Sequence, residues 1–214
     1  MDLAIKQPKQ ATEVRRAGLV AAALHLAAQR SPANITTADL ARAVGITQGA
    51  VFRHFDSKEA IWLEVLDWAA DALLGQLHHA ATGPDELPLP PLRALQAMFV
   101  AHVEFVTTHP GVPRVIFQEL QHAQDTPLKA RVRSLMQRYR VLVMELLQHA
   151  QAQSLLVPGT DLQAAAVLFL GAVQGLVLQA LSSGQVQSMA AQAPVVFAIY
   201  LRGIGAQQVR PFIA

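Results

Sequence analysis

The stretch Ile46–Trp62, "ITQGAVFRHFDSKEAIW", decides the fold. A Gly-Ile-Thr turn at Gly45–Thr47 leads into a helix barely two turns long. That helix carries small, polar and basic side chains. Phe52 and Phe55 flank a break at Asp56-Ser57, and a long apolar-periodic run follows. Upstream, "ITTADLARAV" reads as a helix with Thr36 as N-cap and Asp39 three residues on, near capping-box spacing. Gly45 supplies its stop, because glycine tolerates the left-handed conformation. Helix, turn at Ala43–Ile46 and helix have helix-turn-helix spacing. Leu40, Ala41, Val44, Ile46, Val51 and Phe55 are expected inside, leaving Thr47, Gln48, Gly49, Ala50, Phe52, Arg53 and His54 outside. A helix in the major groove needs small residues for close approach, an amide for a base edge and a basic group for phosphate. Lys58, at the next helix start, adds a phosphate donor. The alternative is a small solvated helix.

Outward from this stretch, the 214 residues suit one large domain, or a small one joined to a larger one. Over half are hydrophobic and none is cysteine, which excludes disulfides and thiol-based metal or redox chemistry. The start lacks an apolar run of the secretory kind, so a cytoplasmic protein is expected. Residues 1–60 carry eight Lys/Arg against five Asp/Glu, and residues 61–214 carry nine against ten. The positive surplus lies around the short helix and favours an anionic partner there.

Helical periodicity dominates throughout. A first helix is expected from Thr12 to about Ala28, with Val14, Ala17, Ala21 and Leu24 on its apolar face. Asp56 or Ser57 caps a fourth helix to about Ala80, which "TGPDELPLPP" ends. Further helices are expected over 91–109, 113–123, Thr126 to near Leu156 with Pro127 in the first turn, 161–181 and 188–206. Pro194 is expected to kink the last one or mark its start. The expectation is an all-α chain of about nine helices: a three-helix DNA-binding head over residues 1–56 and a helical bundle over 57–214.

The run "ITTADLARAVGITQGAVFRHFDSKEAIWLEVL", residues 35–66, resembles the TetR family of bacterial transcriptional regulators. The likeness lies in the Thr-capped second helix, the Ala-x-x-x-Gly-Ile-Thr turn, the Gly-Ala-x-Phe-x-x-Phe helix and the Ser-Lys-Glu entry to helix 4. It covers about 50 N-terminal residues, and the remainder agrees only in helix number and length. The resemblance implies a homodimer that binds DNA and usually represses a neighbouring gene until a small molecule binds. Thr37, Thr47, Gln48, Gly49, Ala50, Phe52, His54 and Lys58 fall where the family contacts DNA. Phe52 stands where tyrosine is usual, so a hydroxyl–phosphate bond is missing. Gln48 stands where lysine is frequent, and suits adenine.

From Leu162 to Leu201 no residue is charged. That length admits a membrane span. Gln174 and Gln179 interrupt it and no basic cluster flanks it, so burial against a second subunit is the better account. Leu168, Gly171, Gly175, Leu178, Val196, Ile199 and Tyr200 are the expected interface residues. A two-fold dimer through the last two helices sets the recognition helices about 34 Å apart. Trp68, Leu73, Phe99, His102, Phe117, Gln121, Tyr139, Phe169 and Gln174 mix apolar and polar groups as small-molecule sites do, and are the candidate effector residues; plain core is the alternative. Glu119 and His122 share a helix face but lack a second ligand pair, so no metal and no cofactor are expected. No nucleophile–base set or phosphate loop stands out, which argues against an enzyme.

Overall fold

The computed structural model describes residues 7–83 and 87–205. Residues 1–6, 84–86 of the breaker stretch, and 206–214 beyond the last helix lie outside it. The described residues form nine α-helices and one 3-10 turn, Pro32–Asn34. The helices are α1 Gln7–Gln29, α2 Thr37–Ala43, α3 Gln48–Val51, α4 Lys58–Ala81, α5 Pro91–Thr108, α6 Gly111–Leu120, α7 Pro127–Ala152, α8 Leu162–Ser183 and α9 Ser188–Ile204.

Local chemistry sets most of these boundaries. Thr36 and Asp39 form a full capping box, with the Asp39 N–H donating to Thr36 Oγ1 at 3.1 Å and the Thr36 N–H to Asp39 Oδ2 at 2.9 Å. Thr47 Oγ1 accepts from the Ala50 N–H, Ser57 Oγ from Ala60, Thr126 Oγ1 from Lys129 and Asp161 Oδ1 from Gln163 and Ala164. Each cap satisfies donors that a helix start would otherwise leave bare. Gly45 takes φ +69° after α2, as a helix stop requires.

Two expectations for the first and last helices are corrected. α1 begins before Thr12, which lies inside it. Its buried residues are Leu19, Val20, Ala23, Leu24 and Ala27, whereas Val14 is 69% exposed and Ala17 and Ala21 face solvent. Alanine is so frequent here that several faces read as apolar; contact with other helices selects one. α9 passes through Pro194, which neither starts nor ends it.

The described residues separate into two compact units, those within 1–70 and 109–133 and those within 71–108 and 134–214, so α4 and α7 are each shared. In the first unit α1 packs on α2 and α6, and α2 on α3. Gly111 opens α6 directly against the α1 backbone. A Cβ there would lie 2.2 Å from the Leu24 carbonyl oxygen, so only glycine fits. In the second unit α5, α8 and α9 pack together around Phe99, Phe169, Phe197 and Tyr200, with Tyr139 of α7 against Phe169. These rings meet largely edge to face, the arrangement their quadrupoles favour.

Candidate DNA interface

Helix α3 is anchored by Val51, at 0% exposure, and by Phe55 just after it, at 3%. Backbone bonds from Arg53, His54 and Phe55 to Ala50 and Val51 continue the turn to the start of α4. What then faces outward is set. Thr47, Gln48, Gly49, Phe52 and Arg53 are exposed, and Ala50, His54 and Lys58 are half-buried. A Cβ at Gly49 would meet no atom within 4 Å, so nothing inside the fold calls for glycine there.

Arg16 of α1 ties this segment down. Its guanidinium lies 4.3 Å from the Phe55 ring centroid, donates to the His54 carbonyl at 2.8 Å and to Glu64 Oε2 at 2.7 Å. One side chain thus joins the end of the recognition segment to α4. Sequence reading missed it, because nothing local in "VRRAG" marks a contact 38 residues away. Lys58 Nζ donates to the Ala33 carbonyl in the 3-10 turn at 3.2 Å, so its ammonium starts from a fixed place with two N–H groups left over. The backbone N–H and hydroxyl of Thr36, then Arg30, hold the Asp39 carboxyl down at about 2, so the α2 cap stays charged over the working range. His54 Nδ1 is buried without a hydrogen-bond partner.

Thr37 departs from the expected pattern. Only 9% exposed, it faces inward, and its Oγ1 accepts from Gln48 Nε2 at 2.8 Å. Of the nine candidate DNA residues, eight reach the surface of this segment at least in part, and Thr37 stands behind one of them.

The candidate effector residues divide. Phe99, Tyr139 and Phe169 have no accessible surface, and Leu73 has almost none. His102, half-buried, brings Nδ1 within 3.2 Å of Tyr139 Oη. Gln174 is exposed and donates to Met136 Sδ at 3.6 Å. Trp68, Phe117 and Gln121 belong to the other unit. There Trp68 meets His109 edge-on at 5.1 Å, Phe117 is half-buried and Gln121 is exposed. Sequence reading passed over a cavity of about 630 Å³ in the second unit, bordered by His78, Met98, Leu142, Glu145, Leu146 and His149. Arg138 lies along a neighbouring hollow and pairs with Asp71 at 3.5 Å. Glu119 and His122 approach to 3.8 Å, and among the described residues no third metal-ligating group joins them.

Burial lowers the His102 pKa from 6.5 to about 4. The native state therefore binds fewer protons than the unfolded chain between those values, and stability falls as pH drops through that window. His102→Gln is expected to flatten this part of the acid-denaturation curve, measured as Tm against pH. An unchanged curve would show that the ring titrates as freely in the fold as outside it.

On α8 and α9, Leu168 is 55% exposed, Leu178 58% and Ile199 58%. Gly171 and Gly175 share that exposed face of α8, and Val196 is half-buried. Val167 and Val195, not singled out from the sequence, are also exposed. Tyr200 is turned inward, 3% exposed, with its hydroxyl donating to the Ala165 carbonyl at 3.1 Å, so it backs the face rather than lining it. α8 is long and apolar enough to cross a membrane by length and composition, with 39% of its apolar window buried.

Two family models match the chain. One, described as "Bacterial regulatory proteins, tetR family", covers residues 19–65, the helix-turn-helix and its supports. The other, "Tetracyclin repressor-like, C-terminal domain", covers residues 88–178. The chain belongs to the TetR family. As a TetR-family protein it is a DNA-binding regulator and not an enzyme, with the family's helix-turn-helix head and helical C-terminal part. A TetR transcriptional regulator from Chloroflexus aurantiacus has the same fold, with a TM-score of 0.76 at 20% identity over 92% of this chain and 98% of that one. SmeT, the repressor of a Stenotrophomonas maltophilia multidrug efflux pump, gives 0.73 at 16% identity over 92% and 94%. Among curated proteins, the nucleoid occlusion factor SlmA of Marinobacter nauticus is 24% identical over 75% of this chain and 80% of its own. SlmA of Glaesserella parasuis is 28% identical over 67% and 70%.

Proposed function

We propose that the protein is a homodimeric, ligand-responsive repressor that binds a palindromic double-stranded operator and is released by a small, largely apolar effector. The head, residues 1–56, contacts DNA, and residues 57–214 bind the effector and pair the subunits. It acts in the cytoplasm, where its operator lies. The observation that carries the dimer is the uncovered apolar stripe of Leu168, Gly171, Gly175, Leu178 and Ile199. A second copy covers such a stripe with its own, as a two-fold interface does. The two heads then read two half-sites, which makes the operator palindromic.

Release needs an effector that prefers the non-binding state; moving the balance from 1:99 to 99:1 takes about 5.5 kcal/mol of differential affinity. Support for an effector is the half-buried His102 beside Tyr139 at the edge of an aromatic cluster, and a cavity of about 630 Å³ with mixed lining. Gel shifts on DNA upstream of the protein's own gene, with and without apolar candidates, test the reading. Binding that no candidate reduces would leave a second reading, a DNA-binding regulator without a small-molecule ligand. Two observations favour that one: the aromatic centre is filled, and the two curated relatives named above are nucleoid occlusion factors by name.

Lys58→Ala is expected to weaken binding to every DNA sequence alike and to lower the slope of log K against log salt by about 1. Titrations at four salt concentrations measure it. An unchanged slope would leave Lys58 with only its bond to Ala33.

A further inference from the structure

We infer that Thr37 is a positioning residue for sequence reading: its hydroxyl oxygen holds the Gln48 amide so that Gln48 offers one N–H and its Oε1 together to a single base. This rests on the reading that Gln48 contacts a base edge. Thr37 is well fixed for the task. It is the first residue of α2, inside the Thr36–Asp39 capping box, and Arg30 grips Asp39 from just past α1 at 2.9 Å. The residue is 9% exposed, and a β-branched side chain in a helix has few rotamers to choose from.

Gln48 lies eleven residues on, exposed, at the start of α3. An exposed glutamine normally samples many rotamers, and ordering it on binding costs entropy. The Nε2–Oγ1 bond of 2.8 Å removes part of that freedom in advance. In this arrangement Nε2, and not Oε1, is turned to the Thr37 hydroxyl. Nε2 carries two hydrogens, and Thr37 takes one. The other hydrogen and Oε1 remain, a donor beside an acceptor. Adenine presents the complementary pair in the major groove, N7 accepting and N6–H₂ donating. Guanine presents two acceptors, which this arrangement does not match. The opposite amide orientation, with Thr37 donating to Oε1, would leave two N–H groups outward and select guanine.

The test first defines the operator by selection from random DNA with the full-length protein. Binding is then titrated for all four bases at the symmetric pair of positions that Gln48→Ala relaxes. Thr37→Val keeps the shape and removes the acceptor. It is expected to lower the adenine preference at that pair by about fivefold, while affinity for random DNA stays the same. Thr37→Ser retains the acceptor and should retain the preference. The double variant Thr37→Val, Gln48→Ala should match Gln48→Ala alone. Thermal melts accompany each, and Thr37→Ala substitutes if the valine variant does not fold.

The inference fails if Thr37→Val keeps the full preference, if it weakens all DNA equally as a phosphate contact would, or if the wild-type pair selects guanine. If Gln48→Ala relaxes a position and Thr37→Val does not, Thr37 alone loses its role. If Gln48→Ala relaxes none, the reading of Gln48 falls and this inference with it.

Discussion

Gly175→Arg is expected to turn the protein into a well-folded monomer and to weaken operator binding by about 10²- to 10⁴-fold, the factor lost when two linked binding modules become one. The argument begins in the single subunit. Gly175 is exposed on α8, and a Cβ there would meet nothing within 4 Å. An arginine is accommodated within one subunit without displacing a neighbour. Replacing glycine inside a helix also favours the helix by roughly 0.5–1 kcal/mol. The fold therefore has no reason to suffer.

The dimer has. Gly175 lies three residues from Leu178, four from Gly171 and seven from Leu168, along one face. Two glycines four apart let helices approach closely, and a long charged side chain at that seam would be buried without a partner. Sedimentation of the wild type and variant measures the state, circular dichroism the fold, and titration on the selected operator the affinity. A variant that remains dimeric and binds normally would move the interface elsewhere. A wild-type monomer would remove the stripe's explanation altogether.

The caps were legible because they are local. Thr36, Thr47, Ser57 and Thr126 each satisfy an N–H three residues away, so their chemistry is visible in a short window. The recognition helix was legible for a related reason: alternating anchors and small polar residues within ten positions leave one orientation. What escaped notice depends on distant partners. The core side of α1 is chosen by α2 and α6, and its alanine-rich surface offers no preference of its own. Gly111 looks like a loop glycine until α6 meets the Leu24 carbonyl. Arg16 was one basic residue among several, and only the fold brings it to His54, Phe55 and Glu64. Thr37 was assigned to DNA by its place in a motif, and its bond to Gln48, eleven residues on, shows only in the fold. Phe99, Tyr139 and Phe169 suit a ligand pocket and a core equally well by composition, and in this fold they fill the centre of the second unit.

Gly49→Leu is expected to leave stability unchanged or slightly raised and to reduce operator affinity by about 10³-fold or more, to the level of non-specific binding. Stability gains because Gly49 lies within α3, at a position where an added side chain touches nothing and glycine costs the helix roughly 0.5–1 kcal/mol relative to alanine. A fold that keeps glycine where the fold does not need it points to a constraint from outside the chain. The major groove is about 12 Å wide, and a helix with its side chains is about 10–12 Å across. A four-carbon side chain beside Gln48 therefore lifts the helix off the base edges. Contacts from Gln48 and Phe52 are lost together, while attraction of the basic groups to phosphate persists at longer range. Gly49→Ala should fall between the two, since one methyl displaces the backbone less. Titration on the operator and on random DNA, with melts of each variant, separates the effects. A leucine variant that melts lower would make Gly49 a requirement of the fold. One that binds the operator as the wild type does would show that this face of α3 never approaches DNA closely.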